Sequence, residues 1–389
     1  MSPPAWPGTL ASWGVVAASA VGSLAWLGLL AHLIRHRALR ADLDAAVDPG
    51  AGRPDPPNVA VIVIPPDDGG PGCSPPALAA GDDGVFAACV DPRPDVGAPA
   101  GWLGAVHALQ VATASGPAAS AEWLVFVDPA ATIGPGAIRR AAEHARGAGL
   151  DHLILEPGFV AATPGARTVL AFVAALRWLR APIGRVADRR SRAAGGGESF
   201  QLVRAEAFRA VGGFHHLAMT VDAVGRLGQV FKYAGYRVGI LGGGDAVRLR
   251  RRCGIRDVLR RVERDSFAAA GFRAGRAVAA IAAVVVLGVG PFVGLVVGPA
   301  WSWWLALAGV IALAETLAIA GRRAGGGWWS VVGAPVAAPL VAGAMARALV
   351  GTLARGGIVR DGAFHPLAAL RAHARDRDAW LDEVWRSTR

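Results

Sequence analysis

Residues 121–132 read "AEWLVFVDPAAT". The apolar run Trp123 to Val127 ends in one carboxylate, Asp128, followed by proline and two alanines. Such a run predicts a β-strand, and a strand that stops at an acid often delivers that acid to a ligand. A second acid two residues later would complete a pair able to hold a divalent cation on a diphosphate. That position is Ala130.

The surrounding sequence repeats the pattern. "VAVIVI" (59–64) is β-branched without period-two alternation, which predicts a strand buried on both faces. It stops at the turn signal "PPDDGG" (65–70). "VFAACV" (85–90) is a further strand candidate ending at Asp91, and "HLILEP" (152–157) is another. "GPGAIRRAAEHARGAG" (134–149) reads as a helix closed by glycine. Strand, turn and helix in alternation predict an α/β fold with a largely parallel sheet, in which 59–64 and 123–127 are parallel neighbours or near-neighbours. Ligands of such sheets bind beyond the carboxyl ends of the strands, the edge expected to carry Asp91 and Asp128.

Composition adds a membrane. Across 389 residues, 53% are hydrophobic and the mean hydropathy is +0.39, too apolar for an ordinary soluble enzyme. Leu10 to Ile34 is a nearly uncharged stretch long enough to span a hydrocarbon core of roughly 30 Å. Ala277 to Ala320 is a second apolar block, broken at "GPAW" (298–301) and interrupted by Glu315. Trp328 to Leu353 is a third, containing Pro335, Pro339 and Arg347. Residues 1–9 carry no Lys or Arg, whereas Arg35, Arg37 and Arg40 follow the first stretch. That order predicts an uncleaved anchor with a cytoplasmic domain behind it, not a signal peptide, and Arg273 and Arg276 agree. The predicted layout is an anchor (1–40), a Pro-, Gly- and Asp-rich linker (41–58), an α/β domain (59–276), membrane segments (277–353) and a basic tail (354–389). Prolines and Arg347 within 328–353 predict a re-entrant or interfacial hairpin, with the tail cytoplasmic.

The three cysteines, Cys73, Cys89 and Cys253, lack CxxC spacing and suit a reducing compartment. The nine histidines are scattered, with His215-His216 the only adjacent pair, and a His or Cys metal cage is not expected. Net charge is +11, with Lys232 the only lysine. The densest basic run, "RLRRRCGIRDVLRR" (248–261), has no aromatic residue, so no platform for stacking bases, and nucleic acid is not the expected partner. It reads either as a membrane-facing stretch attracted to anionic headgroups or as a grip on a diphosphate, with Arg248 and Arg251 the candidates.

Several motifs in order carry a resemblance: "PAGWLGAVHALQVA" (99–112), "EWLVFVDPAATIGPGAIRRAAEHA" (122–145), "ESFQLVRAEAFRAVGGF" (198–214), "LGQVFKYAGYRV" (227–238) and "GGIVRDGAFHPLAALRA" (356–372). Together they resemble the membrane-bound family 2 glycosyltransferases, most of all members acting on hopanoid, carotenoid or other polyisoprenoid-type lipids. The resemblance implies a GT-A fold with one N-terminal and two to three C-terminal transmembrane helices, in the cell membrane. It implies transfer of a sugar from a nucleotide-sugar or lipid-phosphate donor to a membrane lipid at the cytoplasmic face. It also implies a divalent metal, Mg or Mn, held by a D-x-D pair that balances the departing diphosphate, and an aspartate as general base.

The sequence departs from that pattern at each chemical position. The D-x-D pair is Asp128, Pro129, Ala130; the lysine expected after Gly104 is Ala105; and Ala223-Val224 stand at the acid pair that should supply the base. Asp222, two residues before Val224, is the remaining candidate base. Donor contacts fall to Asp91, Asp128, Arg248 and Arg251, and metal contact to Asp128 alone. Two classes of function stay open: an active glycosyltransferase, or an inactive homologue that binds lipid or scaffolds a partner membrane enzyme.

Overall fold

The computed structural model describes residues 10–36, 42–43, 57–64, 85–88, 97–159, 163–197, 199–249, 254–323 and 333–389. The calls on Asp91, Arg251, the three cysteines, the "PPDDGG" turn and most of the linker lie outside these residues.

In chain order the elements are α1 (Leu10–Arg35), β1 (Val59–Val63), β2 (Val85–Ala88), α2 (Gly104–Thr113), α3 (Gly116–Ser120), β3 (Trp123–Val127), β4 (Ala131–Ile133), α4 (Ala137–Gly147), β5 (His152–Phe159), α5 (Pro164–Arg180) and β6 (Phe200–Arg204). There follow α6 (Ala205–Ala210), α7 (Ala223–Tyr233), β7 (Val238–Leu249), α8 (Ile255–Ala269), α9 (Ala274–Val297), α10 (Trp303–Arg323), α11 (Ala334–Arg355), β8 (Gly357–Arg360), β9 (Ala363–Pro366) and α12 (Leu367–Ser387). The chain folds as two compact units.

One unit, residues 39–159, 183–250 and 352–389, holds a mixed seven-stranded sheet in the order β2-β1-β3-β6-β5-β7-β4. β1 runs parallel to β3 with Val59 opposite Trp123 and Val63 opposite Val127, as the two apolar runs predict. β6 runs against both β3 and β5, and β4 against β7. β1 and β3 are buried along their whole length, which is why neither alternates. Ala60, Ile62, Leu124 and Phe126 share one core with α2 and α7, while Val59, Val61, Trp123 and Val125 share another with α4. α4 ends as its sequence predicts, with Gly149 in the left-handed region just beyond it. Of the linker, Asp42 bridges to Gly242 and Leu43 is fully buried. The tail belongs to this unit: Leu381 and Trp385 of α12 lie in the same core as Phe126.

The other unit, residues 1–38, 160–182 and 251–351, is helical. Among the described residues, four helices are long and apolar enough to cross a membrane, three of them C-terminal to the sheet, and they mark the chain as a membrane protein. α1 and α9 run antiparallel, because Ala18 and Ser19 meet Gly290 and Gly294 while the Trp26 Nε1 donates to the Leu287 carbonyl at 2.7 Å. One end of this pair carries exposed tryptophans, Trp13, Trp301, Trp303 and Trp304. The other carries Arg35, Arg273 and Arg276.

The hairpin expected over 328–353 is corrected within its described part. Residues 334–355 form one continuous helix. Pro335 falls in its first turn, where no intrahelical partner awaits its missing N–H, and only Pro339 lies inside.

Candidate functional site

β1, β3, β5 and β7 all point their carboxyl ends to one edge of the sheet, because β6 reverses between β3 and β5. That edge collects Asp128, the loop at 193–197, the start of α7 and the start of α2.

Asp128 follows β3 immediately and is almost wholly buried, 3% exposed. Its Oδ1 accepts from the Ala130 backbone N–H at 2.8 Å, and its carbonyl accepts from Ala131 at 2.8 Å. The carboxylate thus folds back on its own turn, as short acidic side chains do. Ala130, where a second metal ligand would stand, gives only its backbone. Among the described residues there is no group of three or more His, Cys, Asp or Glu placed to hold a metal ion.

Asp222 is half-buried and stands at the N-cap of α7, where its Oδ1 accepts from Gly225 N–H at 2.9 Å. A Cβ at position 225 would collide with this carboxylate, so the glycine and the cap go together. Gly225 and Gly228 also admit the 193–197 loop: a Cβ at Gly228 would strike the Gly195 carbonyl, and one at Gly196 the Gly225 carbonyl. The loop therefore lies backbone to backbone on the first turn of α7. Of the three glycines at 195–197, two serve close approach rather than flexibility.

Gln201 ties these parts together. It is fully buried on β6, and its Nε2 donates to the Gly197 carbonyl at 2.8 Å and the Val224 carbonyl at 2.7 Å. Its Oε1 faces the Nε2 of His152 at 2.8 Å. His152 is wholly enclosed, and burial lowers its pKa to about 3, a shift the Gln201 contact partly opposes.

A third carboxylate arrives from the tail. Asp361, at the β8–β9 turn with φ of 51°, accepts from the Ala105 N–H at 2.9 Å, in the first turn of α2. Gly104 leaves the room, since a Cβ there would lie 3.2 Å from the Asp361 Cβ. The backbone of the residue standing where a lysine is expected is thus bound to an acid.

Behind Asp222, the tail helix holds the loop that leads into it. Arg377, 6% exposed, donates to Thr220 Oγ1 at 3.3 Å and through its other nitrogen to Asp378 at 2.8 Å. Met219 N–H donates to His373 Nε2 at 3.4 Å. His373 has its pKa lowered to about 4, first by burial and then by the Arg377 charge.

Arg248 is on β7 opposite Thr132 of β4, so the basic run starts beside the Asp128 turn. Its guanidinium forms an ion pair with Asp245. Far from this edge, beside the start of β7, a cleft of about 450 Å³ is lined by His216, Tyr236, Trp380 and Thr388. There His216 stacks on Trp380 with centroids 3.7 Å apart.

No protein-family model matches the chain. No curated protein is similar to it. The resemblance therefore rests on the residues themselves.

The structure brings Asp128 and Asp222 to one edge and leaves Arg248 at its flank. Sequence reasoning missed Gln201, Asp361 and the His373–Arg377 pair. The signal for Asp361 was present as the Asp-Gly dipeptide of a hairpin turn. Gln201 carried none, because a buried glutamine on a strand looks like any polar interruption.

Proposed function

We propose that this is a membrane protein on the plan of a family 2 glycosyltransferase whose nucleotide-sugar edge has lost metal-dependent transfer. In this reading it is an inactive homologue that binds lipid or scaffolds a partner membrane enzyme. One observation carries it: Asp128, Asp222 and Asp361 each spend an oxygen on a backbone N–H of that same edge. Carboxylates engaged in this way hold turns and helix ends in shape. The donor set also fails to fit a protein-held Mg or Mn. Asp128 offers a carboxylate already turned onto Ala130, and no second side chain follows it. The mixed sheet with parallel strands ending at one edge, and the apolar helices around it in sequence, support the glycosyltransferase plan. Arginines at one end of the α1–α9 pair support a cytoplasmic sheet unit.

Asp222 favours the second reading, an active enzyme moving sugar onto a membrane lipid. It is half-buried at a helix N-terminus on the ligand edge, and capping occupies one of its two oxygens. The other oxygen would have to come within about 2.6–3.2 Å of an acceptor hydroxyl. Titration of the purified chain with a panel of nucleotide sugars, with and without Mn²⁺, tests the choice. The inactive reading expects no metal-dependent binding and no label transferred to membrane lipid. Transfer that is abolished by Asp222→Asn would establish the enzyme instead.

A further inference from the structure

We propose that α10 presents a docking face for a transmembrane helix of another protein, one that carries an arginine or lysine near the middle of its span, and that Glu315 holds it. Glu315 is the only acid in the four apolar helices. One face of α10 serves its own unit: Ala306, Leu313, Thr316 and Ala320 are buried, and Gly309 lies against Ser23 of α1. The opposite face is a stripe at helical spacing, Trp304, Leu307, Ile311 and Glu315, and all four are exposed. No hydrogen bond or ion pair reaches Glu315 from the described residues. Arg347, the charge set within α11, differs in having its partner in the same unit, Glu263 at 3.3 Å.

The position of Glu315 along α10 makes the missing partner matter. From Trp304 to Arg322 the helix rises about 27 Å at 1.5 Å per residue, and Glu315 stands about 16 Å along it. That length matches a hydrocarbon core of roughly 30 Å, with a tryptophan at one boundary and an arginine at the other. Helical side chains lean toward the N-terminus, which carries the carboxylate back toward the middle and away from Arg322. Trp304, Leu307 and Ile311 need only lipid around them. A carboxylate needs a donor, acyl chains have none, and ionisable groups at such depth pair with one another or line a cavity. A second copy of this chain does not supply that donor. Copies inserted the same way are related by an axis along the membrane normal, so joining two α10 faces sets Glu315 against Glu315, like charge on like. A foreign helix with one cation at matching depth satisfies the site, its long stem lying along Leu307 and Ile311. The charge, more than the apolar stripe, then selects the partner and its register. This contact gives the scaffold reading its partner, and it rests on that reading for its purpose.

The test uses the full chain in phosphatidylcholine vesicles, with Cys73, Cys89 and Cys253 replaced by serine and a benzophenone attached through Ile311→Cys. The probe is a synthetic leucine-alanine helix of about 20 residues, long enough to span, with one arginine at its centre. A sister peptide has leucine there. Cross-linking to the arginine peptide should exceed that to the leucine peptide by about tenfold, the worth of one polar contact between membrane helices in model peptides. Glu315→Gln should bring the two peptides level, and Glu315→Asp should keep most of the preference. Equal cross-linking of both peptides to the parent chain overturns the docking face. So does a cross-link between two copies of the chain that depends on Glu315. Reaction of Ile311→Cys with a membrane-impermeant maleimide overturns it as well, because that face then meets water. None of these readouts involves nucleotide binding or label transfer, so the docking face can fail while the inactive reading stands, and the reverse.

Discussion

In the sheet unit, the Phe126 ring meets Phe214 edge-on at 5.3 Å and Phe208 at 5.7 Å, all three essentially enclosed. In the helix unit, the corresponding contacts are Gly22 on the Val286 carbonyl, Gly290 on the Ala18 carbonyl, which a Cβ at 290 would approach to 2.9 Å, and Gly309 on Ser23. Large rings dominate the first core, whereas in the second, beside the enclosed Trp26 and Phe172, missing side chains let the helices meet. The difference follows from the solvent. Water drives apolar area out of contact, so bulk stabilises the sheet unit at roughly 25 cal/mol per Å² buried. Lipid gives no such drive between helices, and close backbone approach through small residues takes its place.

Opposite substitutions should therefore damage the two units. Phe126→Ala removes a ring from the sheet core and should cost about 3–5 kcal/mol. Gly22→Leu must push its Cβ into the Val286 carbonyl, 2.7 Å away, and Pro291 Cδ, 3.0 Å away. Overpacking of that kind costs about 1–3 kcal/mol. Hydrogen exchange measured peptide by peptide should show lost protection in β1, β3 and β6 for the first variant, and in α1 and α9 for the second. Equal losses in both units from either variant would break the contrast.

A smaller effect, also confined to the sheet unit, depends on pH. His152 and His373 have folded pKa values lowered to about 3 and about 4. The unfolded chain, near 6.5, binds these protons first as pH falls. Stability is therefore full above pH 6.5 and declines between 6.5 and the folded values, by up to about 1.4 kcal/mol per pH unit for each group. Unfolding followed from pH 7.5 to 4.5 should show this slope, and His373→Gln should reduce it. An unchanged slope in that variant would mean that the loop before Asp222 does not depend on a neutral His373.

The same contrast explains what could be read in advance. β1, β3, α4 and the apolar helices were legible because each announces itself locally, by an uninterrupted apolar run or a glycine stop. β6 was not, since "FQLVR" has a glutamine at its centre whose partners, Gly197, Val224 and His152, are distant in sequence. The continuity of α11 was misread because two prolines weigh heavily in a sequence window. One of them, Pro335, sits in the first turn and breaks nothing. At the candidate site, Asp128 could be placed at the ligand edge by its strand end alone, whereas Asp222 was reached only through the resemblance. Their engagement could not be read, because it depends on whether the next backbone N–H turns back toward the acid. Asp361 reaches Ala105 across 256 residues, a pairing that no local pattern encodes.

The smallest expected effect bears most directly on the strand tip that decides the fold. If Asp128 serves its own turn, what the turn needs is an acceptor of the right length, not a charge. Asp128→Asn keeps an amide oxygen where Oδ1 now meets the Ala130 N–H, at nearly unchanged volume. Its stability should stay within about 0.5 kcal/mol of the parent chain. Asp128→Ala deletes the acceptor at a site only 3% exposed, leaving a donor to find water or go unpaired, at a cost of about 1–3 kcal/mol. The ordering Asn close to parent and Ala clearly below, read from thermal unfolding in one detergent, is the signature of a turn. A carboxylate kept to bind a metal-bound diphosphate gives a different pattern. There Asn and Ala would lose nucleotide binding alike, and Mn²⁺ would raise the melting temperature of the parent chain only. Observing that second pattern would return Asp128 to the donor site and with it the case for an active enzyme.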